Sequence, residues 1–131
     1  MIDPSPEVPP DRIELRGLRG VGICGALPEE RERPQPLEVD LDVVADLIAA
    51  GASDDLADTV DYGQLTEVVA VVVSESRFML LEALAEAIAT AVLAADRVQA
   101  VTVSVRKLRP PVPVELDTAG VTIHRSGDRG R

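Results

Sequence analysis

The sequence predicts an α+β fold, a four-stranded antiparallel sheet with two helices packed on one face. Three observations carry this. Leu37, Val39, Leu41, Val43, Ala45 and Leu47 are apolar, with Glu38, Asp40, Asp42 and Asp46 between them, the period of a half-buried strand. Leu65, Val68, Val69 and Val72, then Leu81, Leu84, Ala85, Ile88 and Val92, recur at three- and four-residue spacing, the apolar stripe of a helix. The elements run strand, strand, helix, helix, strand, strand, and such grouping favours an α+β arrangement.

Residues 1–10 hold four prolines and are expected to form a loose arm. From Asp11, Ile13 and Leu15 alternate with Glu14 and Arg16 as a strand, which enters a stretch punctuated by Gly17, Gly20, Gly22 and Gly25, suited to a bend or bulge. The clear strand from Leu37 to Leu47 follows, and residues 51–55 read as the loop that ends it. The valine-rich first helix would pass for a strand on composition, but its spacing and length favour helix; residues 74–77 connect it to the second. Val101, Val103 and Val105 alternate with Thr102, Ser104 and Arg106 until Pro110, Pro111 and Pro113, which cannot donate to a ladder. Val121 and Ile123 start a last short strand, and residues 126–131 are expected to be a disordered polar tail. No repeat or internal boundary is visible, so 11–125 is read as one domain.

Composition narrows the function. The chain has 131 residues, 46% of them apolar, with one Phe, one Tyr and no Trp, so its core is assembled from small pieces that other subunits could complete. A net charge of −10 argues against nucleic acid and against an anionic membrane surface as partners. The single cysteine, Cys24, leaves no internal disulfide and fits a reducing compartment. No apolar run nears the ~20 residues of a membrane span, and the acidic, proline-rich start is unlike a signal peptide. A cytoplasmic protein is expected.

Familiar catalytic machinery is mostly missing. One histidine, His124, and one cysteine fall short of the three or four ligands of a zinc site. There is no phosphate loop and no nucleophile elbow. The basic residues offer more, for twelve are Arg and only Lys107 is Lys. By period, Lys107 shares the face of Val101, Val103 and Val105. A lysine leaving an apolar stripe at a strand end is partly desolvated and able to exchange its proton, which arginine cannot do. By itself such a residue is more often a surface lysine with its stem along apolar neighbours. The lone Tyr62 opens the first helix and offers a phenol that can donate a proton or lie against a flat ring, or merely anchor a surface. Glu82 lies in the first turn of the second helix, where the helix dipole favours a carboxylate. That group can accept two parallel N–H bonds from a guanine-type edge, or be an ordinary first-turn Glu. Glu29, Glu30 and Glu32 read by default as solvated loop charge.

The stretches Arg12–Gly17, Gly25–Glu30, Gln35, Val39–Asp40, Asp54–Tyr62, Leu80–Glu86 and Val105–Pro113, in this order and spacing, resemble the dihydroneopterin aldolase family over residues 11–125. The resemblance implies the tunnelling fold, with sheets joined into tetrameric barrels, two barrels stacked as a homo-octamer, and sites between subunits. It implies a cofactor-free, metal-independent aldolase of folate biosynthesis without a Schiff base, acting on the pterin 7,8-dihydroneopterin. Glu82 would anchor the amino-pyrimidine edge, assisted by the backbone of Leu81. Val60 and Tyr62 would come from the adjacent subunit. Lys107 would be the catalytic lysine, Tyr62 a proton shuttle and Glu30 an organiser of the reacting hydroxyl and water, while Ala26 and Leu27 would line the side-chain end. Cys24 stands where members often carry histidine and is read as a packing residue. An epimerase of dihydroneopterin or its triphosphate would use the same residues. A non-catalytic pterin-binding protein of this fold would keep Glu82 but lose Lys107 or Tyr62.

Overall fold

A computed structural model describes residues 8–127. Its strands are β1 (Arg12–Cys24), β2 (Gln35–Val44), β3 (Arg77–Phe78), β4 (Ala100–Lys107) and β5 (Ala119–Ser126), in the order β3-β1-β2-β4-β5. The helices are α1 (Ile48–Ser53), α2 (Tyr62–Ser74) and α3 (Leu81–Leu93), with 3-10 turns at Pro28–Arg31 and Leu56–Asp58. β1, β2, β4 and β5 pair antiparallel as the patterning predicts, but β3 adds a parallel pairing to β1, Ile23 with Arg77 and Cys24 with Phe78. The expected four-stranded antiparallel sheet is therefore corrected to a mixed sheet of five strands. Two residues are too few to show alternation, so nothing in the sequence announces β3.

The strand from Leu37 ends at Val44, before Leu47, and residues 51–53 of the expected loop belong to α1 instead. Asp46 Oδ1 accepts the Ile48 N–H at 3.0 Å. Asp54, in the left-handed region, closes the turn with its N–H on the Ala50 carbonyl. The loose arm expected over 1–10 and the tail over 126–131 lie outside the described residues, apart from residues 8–10, Ser126 and Gly127.

β1 holds one face along its length through a bulge. Its register with β2 shifts between Leu15 and Leu18, with Gly17 at φ +74° donating its N–H to Asp40 Oδ1 at 2.7 Å. The extra residue keeps Leu15 and Leu18 on the same side of the sheet. Leu37, Val39, Leu41 and Val43 of β2 and Val101, Val103 and Val105 of β4 are buried on that side. α2 covers it with Leu65, Val69 and Val73, and α3 with Leu84, Ala85, Ile88, Ala89 and Val92. The opposite face is polar and ion-paired: Arg106 reaches Glu38 at 2.7 Å and Asp40 at 2.8 Å, and Arg16 reaches Asp42 at 2.6 Å. Among the described residues no helix is long and apolar enough to cross a membrane.

Candidate active site

The apolar stripe of β4 ends in Lys107, opposite Leu37 of β2 and Ala119 of β5. Its stem is sheltered, and Nζ donates to Glu30 Oε2 at 2.8 Å, with the two side chains 14% and 6% exposed. Of the three loop glutamates, Glu30 alone is drawn inward. Pro28 opens a 3-10 turn that closes on the Leu27 carbonyl, through the Glu30 N–H at 2.9 Å and the Arg31 N–H at 3.2 Å. Glu30 Oε1 in return accepts the Leu27 N–H at 3.3 Å. Two oppositely charged groups removed from water this far are held by each other.

β3 brings the start of α3 beside this pair. The Gly25 N–H bonds to the Phe78 carbonyl at 3.0 Å, and three residues later α3 begins with Leu81 and Glu82. Leu80 caps α3 without a side-chain hydrogen bond, which leaves its first N–H groups to solvent or a ligand. Glu82 is exposed in that first turn, and Ala26 and Leu27 are exposed on the loop after β1. Cys24 lies beneath, fully buried. Burial pushes its thiol up, the Lys107 ammonium opposes that, and Glu30 and Glu82 add to it. A thiol kept neutral packs rather than attacks.

Lys107, Glu30, Glu82, Leu81, Ala26 and Leu27 thus gather at one end of the chain's fold. Val60 and Tyr62 do not join them. Val60 is buried, Tyr62 is 61% exposed, and both line a groove of about 660 Å³ with Ile13, Leu47 and Leu56. Tyr62 opens α2, and the far end of α2 meets β1 near Gly22, where an added Cβ would strike the Val73 carbonyl. Thirteen helical residues at about 1.5 Å each put roughly 20 Å between the two regions.

Other contributors have weak sequence signals. Arg97 donates to the Ala57 carbonyl at 2.9 Å and steadies the turn before Val60, from forty positions away in sequence. Asp61 caps α2 through the N–H groups of Gly63 and Gln64, a role that an acidic residue before an apolar helical stripe does advertise. His124 pairs with Thr102 Oγ1 at 2.9 Å on the outer sheet face. Among the described residues no three His, Cys, Asp or Glu side chains converge into a group that could hold a metal ion.

The chain is similar to known proteins over most of its length. Residues 13–124 match the family model described as dihydroneopterin aldolase (FolB). The chain is 44% identical over 116 residues to a dihydroneopterin aldolase of Streptomyces coelicolor, covering 88% of this chain and 98% of that protein. It superposes on the Escherichia coli dihydroneopterin aldolase in complex with neopterin with a TM-score of 0.81 and 29% identity, over 88% of this chain and 99% of that one. It superposes on a dihydroneopterin aldolase of Burkholderia thailendensis bound to guanine with a TM-score of 0.74 and 31% identity, over 90% and 92% of the two chains. A family match across nearly all the described residues, with relatives this similar over their whole length, means that the chain belongs to the dihydroneopterin aldolase family.

Proposed function

We propose that this chain cleaves 7,8-dihydroneopterin by a retro-aldol reaction to 6-hydroxymethyl-7,8-dihydropterin and glycolaldehyde, in folate biosynthesis. The observation that carries the reading is the sheltered Lys107–Glu30 pair at the same end of the protomer as Glu82, in a chain of this family. Cleaving C1′–C2′ requires a base to take the 2′-hydroxyl proton. As that O–H electron pair becomes the aldehyde carbonyl, the C1′–C2′ pair moves to C1′=C6 and the ring N5 gains a proton. A proton returned to C1′ and lost from N5 completes the product. The C6=N5 imine of the substrate is the electron sink, so neither a metal nor a lysine Schiff base is required. What remains is binding, orientation and proton transfer.

Lys107, as the neutral amine, takes the hydroxyl proton through water, and the ammonium so formed supplies one to the ring. Glu30 holds the ammonium and orders that water. Glu82 accepts the paired N–H groups of the amino-pyrimidine edge, assisted by the Leu81 backbone, a mode of recognition that suits both neopterin and the guanine bound by the Burkholderia relative. Ala26 and Leu27 line the glycol end. The Val60 backbone and Tyr62 complete the site from an adjacent copy, with Tyr62 moving a proton as the product leaves. The distance between Tyr62 and Lys107 within one chain supports such sharing, as do the edges β3–β1 and β5, which invite pairing between copies. Sheets joined in this way form four-chain barrels, and two barrels stack as an octamer.

Incubation of the purified protein with 7,8-dihydroneopterin, with and without EDTA, tests the reading. Glycolaldehyde should form equally in both. No product refutes the aldolase activity, and loss of product in EDTA alone refutes its metal independence. Following the C2′ configuration of recovered substrate measures any epimerisation.

A further inference from the structure

We infer that Gly25 is a positioning residue for the proton-transfer pair: its missing side chain is the space that lets Glu30 reach Lys107. The inference rests on the aldolase reading for its catalytic consequence, and on geometry alone for the ion pair.

Gly25 is not in the left-handed region; among the described glycines only Gly17 has a positive φ. A left-handed backbone is therefore not what calls for glycine here, and what forbids a side chain is space. The three atoms nearest to a Cβ built at Gly25 all belong to Glu30: Cδ and Oε1, which it would overlap, and Cβ, at 2.5 Å. Carbon atoms in contact stay about 3.5 Å apart or more.

Gly25 is tied to β3, its N–H held by the Phe78 carbonyl at 3.0 Å. Glu30 is the movable partner, since it rides on a single 3-10 turn between residues 28 and 31. A methyl group at position 25 would push that turn outward by about 1 Å, judged from the contact distances above. The Glu30 carboxylate would then leave the Nζ it meets at 2.8 Å and the Leu27 N–H it meets at 3.3 Å. Glu82, on α3, is untouched by that motion.

Gly25→Ala should therefore lower kcat about 10- to 100-fold, the cost of an ångström-scale misplacement of a reacting group, with KM and neopterin affinity changed no more than about twofold. A merely structural role would lower both together or unfold the protein. Because Lys107 is the only lysine, protein labelled with 15N-lysine gives one side-chain ammonium resonance, and this reads the ion pair without any assay. The slowly exchanging ammonium signal of the native protein should broaden or vanish in Gly25→Ala, as in Glu30→Gln. Adding Gly25→Ala to Glu30→Gln should cost little further kcat, since the effect passes through the carboxylate.

Unchanged kcat in Gly25→Ala, or an unchanged ammonium signal, overturns the inference. A native protein with no aldolase turnover refutes the proposed activity instead, and the ammonium signal then decides whether Gly25 sets the pair. If Gly25→Ala does not fold, Gly25→Ala/Glu30→Gly, which removes all three of the nearest obstructing atoms, should be no less stable than Glu30→Gly alone, which carries the same unpaired ammonium; a further loss of stability on adding Gly25→Ala also overturns the inference.

Discussion

Tyr62 and Lys107 stand at opposite ends of the fold, the tyrosine opening α2 and the lysine closing β4 beside the loop that α2 runs towards. If one site needs both, each site draws them from different chains. Tyr62→Phe and Lys107→Ala homo-oligomers should each be nearly inactive. Unfolded together at equal amounts and refolded, they should regain about one quarter of the native activity, because random pairing brings an intact Tyr62 against an intact Lys107 in that share of interfaces. Refolded mixtures no more active than the parents would show that the two residues do not serve a shared site.

Lys107 carries two separable properties, a charge that meets Glu30 and a proton it can release. Lys107→Arg keeps the first and loses the second, since a guanidinium holds its proton at any working pH. It should retain stability near the native value while kcat falls roughly 10²–10⁴-fold. Lys107→Ala should lose as much activity and also destabilise the fold, because it leaves the sheltered Glu30 carboxylate without its cation. Comparing kcat and urea midpoints of the two variants separates these effects. Native-like turnover in Lys107→Arg would remove proton transfer from the role of this residue.

Glu82 should matter for binding and little for folding. It is exposed in the first turn of α3 and makes no ion pair among those formed by the described residues. Glu82→Ala should weaken neopterin affinity about 10- to 100-fold, the value of a charge-assisted bond or two, with the melting temperature almost unchanged. Calorimetric titration measures this, and an unaltered dissociation constant would leave the pterin edge to some other group.

Much of this was legible in the sequence, and what was not has physical causes. The alternation of β2 and β4 and the stripe of α3 give most of the buried faces, with Leu47 and Leu81 only half-buried and Ala89 buried outside the stripe. The stripe of α2 is less faithful. Val68, at helical spacing with Leu65, is exposed, while Val73 is buried, because a valine-rich helix looks apolar on several sides. β3 is invisible because two residues have no period, and α1 because a single turn at residues 48–53 depends on local caps. In the candidate site, the strand period correctly puts Lys107 on the inner face. Glu30 reads as one of three equivalent loop charges, since its inward turn depends on Pro28 and on the space left by Gly25. Only the family resemblance singled it out. That Tyr62 and Lys107 lie apart is a tertiary fact that no local pattern contains.

The polar face of the sheet makes a prediction about acid. Glu38 is held below the ordinary carboxylate range by hydrogen bonds from Arg106 and Arg19. Asp40 is also held low: burial alone would push it up, but the Gly17 N–H and the Arg106 guanidinium outweigh that. A carboxylate lowered in the folded state adds stability that is fully present above its unfolded value, about 4, and is lost as pH falls through the lower folded value. The melting temperature should therefore be level near neutrality and fall once pH drops below about 4. Arg106→Met keeps much of the stem volume and removes the shared cation. It should melt lower than the native protein at pH 7, yet lose less on acidification, because Glu38 and Asp40 then titrate closer to their unfolded values. Melting curves of both proteins at several pH values measure the two slopes. Parallel slopes would mean that the Arg106 pairs do not couple folding to these protons.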